Sequence, residues 1–200
     1  MTASRSTPRL RLTALLLLGL LALVAVSERT AATGVAGQAL QLAGLLCVAC
    51  AALGRIWSSI FIAGYKDARL VRRGPYAMLR HPLYALSSLA MLGAGLTTRS
   101  VTITATLVVL FAVIHAAAAR AEDRFLHGVH GEAFTRYAGE VRGFLPRWSA
   151  YEVPETLDIR PRVLWKAFLD AGTAIGFWGL LVLVDALHGA GITPTWITLP

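Results

Sequence analysis

Apolar residues gather in five runs along the chain, at positions 12–26, 35–53, 83–96, 101–119 and 163–187, and the charged residues crowd into the stretches between them. A helix that crosses a bilayer needs about 20 largely apolar residues. The second run carries no charge over nineteen residues, and the fourth has His115 as its one ionisable group. The fifth holds Asp170 near its start and Asp185 near its end. These three predict spanning helices. The third run is short and must borrow neighbours such as Thr97 and Thr98. The first follows Arg5, Arg9 and Arg11 and closes on Ala-Val-Ser, a pattern that a cleaved signal peptide and an uncleaved anchor share. The charges further along the chain suit the anchor.

The pattern as a whole predicts an all-α, polytopic transmembrane bundle of about five spans, forming one integral membrane domain over residues 1–200. Composition agrees. Of the 200 residues, 56% are hydrophobic and 15% charged, against about 25% charged in soluble domains. The mean hydropathy is +0.62. A net charge of +8 would suit nucleic acid, but the basic residues flank apolar runs, as membrane topology requires, so no nucleic acid partner is expected. Membrane lipids are the expected surroundings.

Loop charge orients the spans. Three arginines precede the first run, and the loop after the second holds Arg55, Lys66, Arg69, Arg72, Arg73 and Arg80 against Asp67 alone. The segment after the fourth carries Arg120, Arg124, Arg136, Arg142, Arg147, Arg160, Arg162 and Lys166. The two other connections hold one arginine each, Arg29 and Arg99. Basic residues thus alternate sides, which places the N-terminus in the cytoplasm of what reads as a bacterial inner membrane and the C-terminus outside.

Candidate chemistry lies in the two basic segments. At residues 74–84 the chain reads GPYAMLRHPLY, so Arg80, His81 and Pro82 stand at the threshold of an apolar run. Pro82 suits the first position of a helix, whose free backbone donors would face the cytoplasmic boundary and favour an anion such as a carboxylate. Glu122 and Asp123, at the end of the fourth run, suit a cation or an amine. A site with both ends fits an amino-acid-like ligand. The plain alternative makes Arg80 a snorkelling anchor and His81 incidental.

The string LVRRGPYAMLRHPLY, followed by AEDRFLHGVHGEAFTRYAGEVRGFLP, resembles the isoprenylcysteine carboxyl methyltransferase and phospholipid methyltransferase superfamily of small membrane enzymes. Its pattern is matched by Gly74, Pro75, Tyr76, Arg80, His81, Pro82 and Tyr84, then Glu122, Asp123, Leu126, Gly131, Phe134 and Tyr137, and finally Val141, Phe144 and Pro146. The likeness covers residues 54–146, the methyltransferase-like core, and leaves 163–187 as an additional C-terminal span. It departs at Leu86, where the family carries glycine, at Asp123, where it carries glutamate, and at His130, where it carries phenylalanine. The resemblance implies S-adenosylmethionine as cofactor in a pocket on the cytoplasmic side. Tyr76, His81, Pro82, Tyr84, Glu122 and Asp123 would bind it, while Arg80 and Arg55 would serve catalysis. The acceptor would be a lipid or lipophilic small molecule; Arg55 with Arg72 or Arg73 would hold it if anionic. A sterol-reductase-like enzyme binding NADPH and a non-catalytic scaffold of the same fold are the alternatives.

Other features have plain readings. Cys47 and Cys50 sit in an apolar run as small filler, and His127 with His130 lacks a third ligand, so no metal is expected. Gly172 and Gly176 form a GxxxG, expected to be a close-packing helix face. Trp57, Trp148, Trp165 and Trp196 fall where interfacial anchors do. Topology is directly testable: reporter fusions after Arg5 and after Pro200 are expected on opposite sides of the membrane, and two cytoplasmic reporters would mean that the first or fifth span is misread.

Overall fold

The structure is a computed structural model and describes residues 15, 17–19, 21–24, 27–29, 34–62, 69–157, 159–192 and 197–199. Strand β1 (Ser27–Arg29) is followed by helices α1 (Gly34–Ile62), α2 (Pro75–Met78), α3 (Pro82–Thr97), α4 (Val101–His130) and α5 (Glu132–Glu140). A 3-10 turn (Trp148–Ala150), helix α6 (Pro161–Gly189) and strand β2 (Ile197–Leu199) complete it. Described positions between 15 and 24 are helical too; the rest of the first expected span, and Trp196, lie outside the described residues.

The chain is an all-α membrane bundle, with one short strand pair among the described residues. Helices α1, α4 and α6 are each long and apolar enough to cross a bilayer, and α3 is shorter. Its 16 residues reach about 24 Å, under the roughly 30 Å of a hydrocarbon core. Thr97 extends it as the sequence suggests and Thr98 caps it, each turning its hydroxyl back onto a carbonyl of the last turn, Gly93 O at 2.8 Å and Gly95 O at 2.7 Å. Ser100 then caps α4 by accepting from Ile103 N at 3.3 Å.

Two helices run past their apolar stretches. α1 continues beyond position 53 to Ile62, and α4 continues beyond 119 to His130. Hydropathy falls at these points, but Ala-Arg-Ala-Glu-Asp-Arg remains good helix-forming sequence, so α4 stops only at Gly131, which has a φ of 52°.

α1 and α3 meet backbone to backbone. A Cβ added to Gly93 would lie 2.6 Å from Gly44 O, and one added to Gly44 would lie 2.7 Å from Gly93 O. Cys47 lies against Gly93, and both cysteines are free thiols. Nearer the other end of α1, Leu86 covers Gly54, whose added Cβ would meet Leu86 Cδ2 at 2.6 Å. The departure at Leu86 therefore keeps the close helix contact by placing the glycine on the opposite helix.

α6 joins through polar contacts and a small core. Asp185 receives Gln41 Nε2 of α1 at 2.7 Å and pairs with Arg99 from the α3–α4 turn. Asp170 stands 3.8 Å from Arg55 of α1. Between them Leu181, 1% exposed, joins a cluster with Val24, Ala94, Ile103 and Leu107. The expected GxxxG face is corrected here: Cβ atoms at Gly172 and Gly176 would meet nothing within 4 Å. The buried positions of α6 are Ala167, Ala171 and Leu181 instead. β1 pairs in parallel with β2, which puts the segment after the first run and the C-terminal segment at one end of the bundle.

Overpacking a closely packed core costs about 1–3 kcal/mol. Gly93→Ala is expected to lower the melting temperature in detergent, while Gly172→Ala leaves it unchanged or raises it. Equal melting temperatures for the two variants would mean that the helices can separate at Gly93 without loss.

Candidate functional site

The site begins at a glycine that only an unusual backbone could occupy. Gly74 has a φ of 60°, and any Cβ there would run into the ring of Phe61. Its N–H donates to Glu152 O at 2.9 Å. Pro75 then opens the single turn of α2, and the extended Leu79 ends it.

Beyond α2 the chain is tied to a distant segment. Arg80 N donates to Arg142 O at 2.8 Å, His81 N to Gly143 O at 3.0 Å, and Arg147 N to Met78 O at 3.0 Å. Tyr137, 2% exposed, adds its hydroxyl to Tyr76 O at 2.7 Å across 61 residues of sequence. The two motifs of the sequence thus lie side by side, and Arg80 and His81 are held by main chain. Pro82 starts α3 at once, and His81 gives that helix no side-chain cap.

One turn beyond the apolar run of α4, Glu122 and Asp123 face this start. Arg80 Nη1 is 3.3 Å from Asp123 Oδ2, and His81 Nε2 is 3.0 Å from Asp123 Oδ1. His81 Nδ1 is 3.8 Å from Glu122 Oε2. The 3.0 Å approach is off the N–H direction, so His81 Nε2 and Asp123 Oδ1 are in ion-pair range without a hydrogen bond. Tyr76 Oη and Arg80 Nε are also buried without a hydrogen-bond partner. Four orphaned polar atoms in one cluster are uncommon, because buried polar groups are ordinarily satisfied.

Burial is the largest influence on the ionisable rings. It pushes the His81 imidazole below its ordinary value, against the raising pull of Asp123 and Glu122. It drives the Tyr76 and Tyr137 phenols well above theirs, so both are neutral donors at any physiological pH. Shortening Glu to Asp at 123 leaves the carboxylate able to reach both Arg80 and His81.

The expected residues do not all converge. Tyr76, Arg80, His81, Pro82, Glu122 and Asp123 come together. Tyr84 stands one ring deeper, its centroid 5.7 Å from His81 and 5.4 Å from His115. Arg55 makes its polar contacts elsewhere: Nη1 donates to Ser87 Oγ at 2.6 Å and Leu83 O at 3.3 Å, and Nη2 faces Asp170. Arg72 pairs with Glu140 at 2.5 Å and Arg73 approaches Glu152 at 3.9 Å. Sequence reasoning missed the main-chain partners Arg142 and Gly143, since a carbonyl carries no residue-type signal.

One cavity adjoins the cluster and a second lies next to the first. A small one, about 40 Å³, is lined by Tyr76, Arg80, Glu122, Leu126 and Tyr137 among others. A larger one, about 420 Å³, lies against Phe61, Arg72, Arg73, Pro154 and Leu157. Arg69, Leu70 and Val71 line both and form the wall between them. Among the described residues no cluster of three metal-binding side chains occurs.

The family model for phospholipid methyltransferase matches residues 32–133. The chain is 38% identical over 159 residues to the cobalt-zinc-cadmium resistance protein CzcN of Cupriavidus metallidurans, covering 78% of this chain and 72% of that protein. It is 34% identical over 165 residues to the nickel-cobalt-cadmium resistance protein NccN of Alcaligenes xylosoxydans xylosoxydans, covering 81% and 76%. No solved structure matches.

Because the folded state favours neutral His81, the unfolded chain takes up a proton first as pH falls below about 6.5. Stability is therefore full above that pH and declines as pH drops toward the depressed native value. Thermal melts of the protein alone, from about pH 8 to about pH 5, are expected to show this acid loss in the wild type and a shallower one in His81→Gln. Equal slopes would mean that His81 titrates as an ordinary exposed histidine.

Proposed function

The chain belongs to the phospholipid methyltransferase family, and we propose that it uses the cluster at the start of α3 to transfer a methyl group from S-adenosylmethionine to a lipid or lipophilic small molecule. The observation that carries this reading is the set of orphaned atoms, Tyr76 Oη, Arg80 Nε, His81 Nε2 and Asp123 Oδ1, gathered beside Glu122. Donors and acid groups of both kinds in one place suit a ligand bearing an ammonium and a carboxylate, as the methionyl end of the cofactor does.

The residues fit the cofactor in kind. Glu122, the carboxylate with the weakest protein contact, would take the ammonium. The uncapped start of α3, aided by Arg80, would take the carboxylate. A cofactor of this size requires a pocket of several hundred Å³, so Leu70 and Val71 would shift to join the small cavity to the large one. Bound there, S-adenosylmethionine supplies a methyl carbon that is already electrophilic. The protein's contribution is to orient the groups and exclude water, which can supply several kcal/mol of the barrier. Arg80 remains a candidate to hold an anionic acceptor at the boundary, while the contacts of Arg55 favour a structural role tying α1, α3 and α6. The cytoplasmic side, where loop charge places this cluster, is where a soluble cofactor would enter, and an amphiphilic acceptor would arrive from the bilayer.

The relatives are named for resistance to cobalt, zinc, cadmium and nickel. On that likeness we place the methylation in a response to toxic metals, with the acceptor still a lipophilic molecule.

Loss of one charged hydrogen bond costs about 1.5–3 kcal/mol, or roughly tenfold to a hundredfold in affinity. Glu122→Gln is expected to weaken S-adenosylmethionine binding by that factor in calorimetry on detergent-purified protein, with an unchanged melting temperature in its absence. Equal affinity for variant and wild type removes Glu122 from the site, and NADPH binding without S-adenosylmethionine binding would favour a reductase.

A further inference from the structure

A second polar level lies deeper in the bundle than the cluster just described. His115, the one ionisable group of residues 101–119, stands on α4 with Nδ1 3.1 Å from Ser88 Oγ of α3. His115 and Glu122 are seven residues apart, as are His81 and Ser88. Two turns of helix return to nearly the same face after about 10.5 Å. The facing sides of α3 and α4 therefore carry two polar levels in register, His81 with Glu122 and Asp123 at the boundary, and Ser88 with His115 below.

Tyr84 stands between the two histidines, its ring stacked on His115 at 28°. On α4, Ala118 and Ala119 fall between His115 and Glu122 at helical spacing, and both are buried. Phe111 closes the lower side, its centroid 5.5 Å from His115. Arg55 bounds the level on the α1 side through Ser87 and the Leu83 carbonyl. Ionisable groups at membrane depth are rare and mark functional positions by default. Packing alone would be served by any apolar residue at 115.

We propose that Ser88 and His115 form the acceptor subsite, and that the acceptor is a lipophilic molecule with a neutral protic nucleophile, such as a phenol or thiol, whose proton passes to His115. This rests on the methyltransferase reading above. A carboxylate or a charged head-group amine belongs at the boundary level, whereas a neutral O–H or S–H can enter to the depth of His115. Ser88 Oγ lies at Nδ1; in the tautomer that serves the step, Nδ1–H donates to Ser88 Oγ and Nε2 is left to accept the acceptor's proton. In the step, the acceptor's X–H bond breaks and its proton goes to His115 Nε2. Its electron pair forms the X–CH3 bond as the C–S bond of the donor breaks, and that bond's electrons remain on sulfur. The positive charge of the sulfonium is thus exchanged for that of the imidazolium.

The test compares wild type, His115→Ala, His115→Asn and Ser88→Ala in detergent, using 4-octylphenol and dodecanethiol as neutral protic probes and dodecylamine and dodecanoic acid as charged ones. Equilibrium binding of each probe in the presence of S-adenosylhomocysteine is measured beside S-adenosylmethionine affinity. The protic probes are expected to bind the wild type, and their affinity to fall at least about tenfold in His115→Ala, with cofactor affinity unchanged. Asn at 115 retains polar atoms, so it is expected to recover binding without recovering methylation of 4-octylphenol. A wild type that binds no S-adenosylmethionine overturns the functional reading itself. A wild type that binds it but prefers the charged probes, or a His115→Ala protein that binds 4-octylphenol equally well, overturns the subsite alone. Parallel loss of cofactor and probe affinity in both His115→Ala and Ser88→Ala would make the pair a prop for Tyr84 and also overturn it.

Discussion

Two helices in a bilayer gain little from bringing apolar side chains together, because lipid tails are as apolar as leucine. Association rests on close backbone approach and on polar contacts, and here both begin where Gly44 meets Gly93. At that crossing each carbonyl oxygen faces the bare α-carbon of the other helix. The contact fixes the height of α3 on α1, and α3 is too short to find its own depth by spanning the bilayer. Once the height is set, Leu86 falls on Gly54 and Arg55 reaches Ser87. The Pro82 end of α3 is then presented to α4 at the level of Glu122 and Asp123.

The boundary cluster depends on a second kind of constraint. Met78, Arg80 and His81 are held by main-chain hydrogen bonds to residues 142–147, so their positions do not rely on their own side chains. The side chains are left to face one another in partly satisfied pairs. A cluster arranged this way is organised before any ligand arrives, with its unmet valences directed inward, and such preorganisation reduces the ordering that binding would otherwise require.

Much of this was legible in the sequence, for reasons that differ by element. The long spans were visible because a bilayer demands unbroken apolar length, and 35–53 and 101–119 supply it. Their overrun at Ile62 and His130 was hidden, because hydropathy reports the membrane and not the helix. Tyr76, Arg80, His81, Glu122 and Asp123 were found through the spacing of two motifs, and the structure brings them together. Arg55 lies outside both motifs, and its direct ties to Ser87 and Asp170 carry no signal in the sequence. The glycines divided the same way. The spacing of Gly172 and Gly176 promised a packed face and met open space, while Gly44 and Gly93, far apart in sequence, form the tightest crossing. A spacing rule reads one helix at a time, and a crossing belongs to two.

The two aspartates of α6 bear on how such proteins can diversify. Each meets an arginine that lies within the stretch matched by the family model: Asp185 meets Arg99 and Asp170 meets Arg55. Arg99 and Asp185 are both largely buried, so removing either would leave a poorly solvated charge unpaired, whereas Asp170 is half exposed and its contact with Arg55 is long. The C-terminal helix is therefore tied to the family-matched stretch through both of its aspartates. The α3–α4 turn and α6 therefore form one electrostatic unit, in which neither Arg99 nor Asp185 can be exchanged for an apolar residue without changing the other.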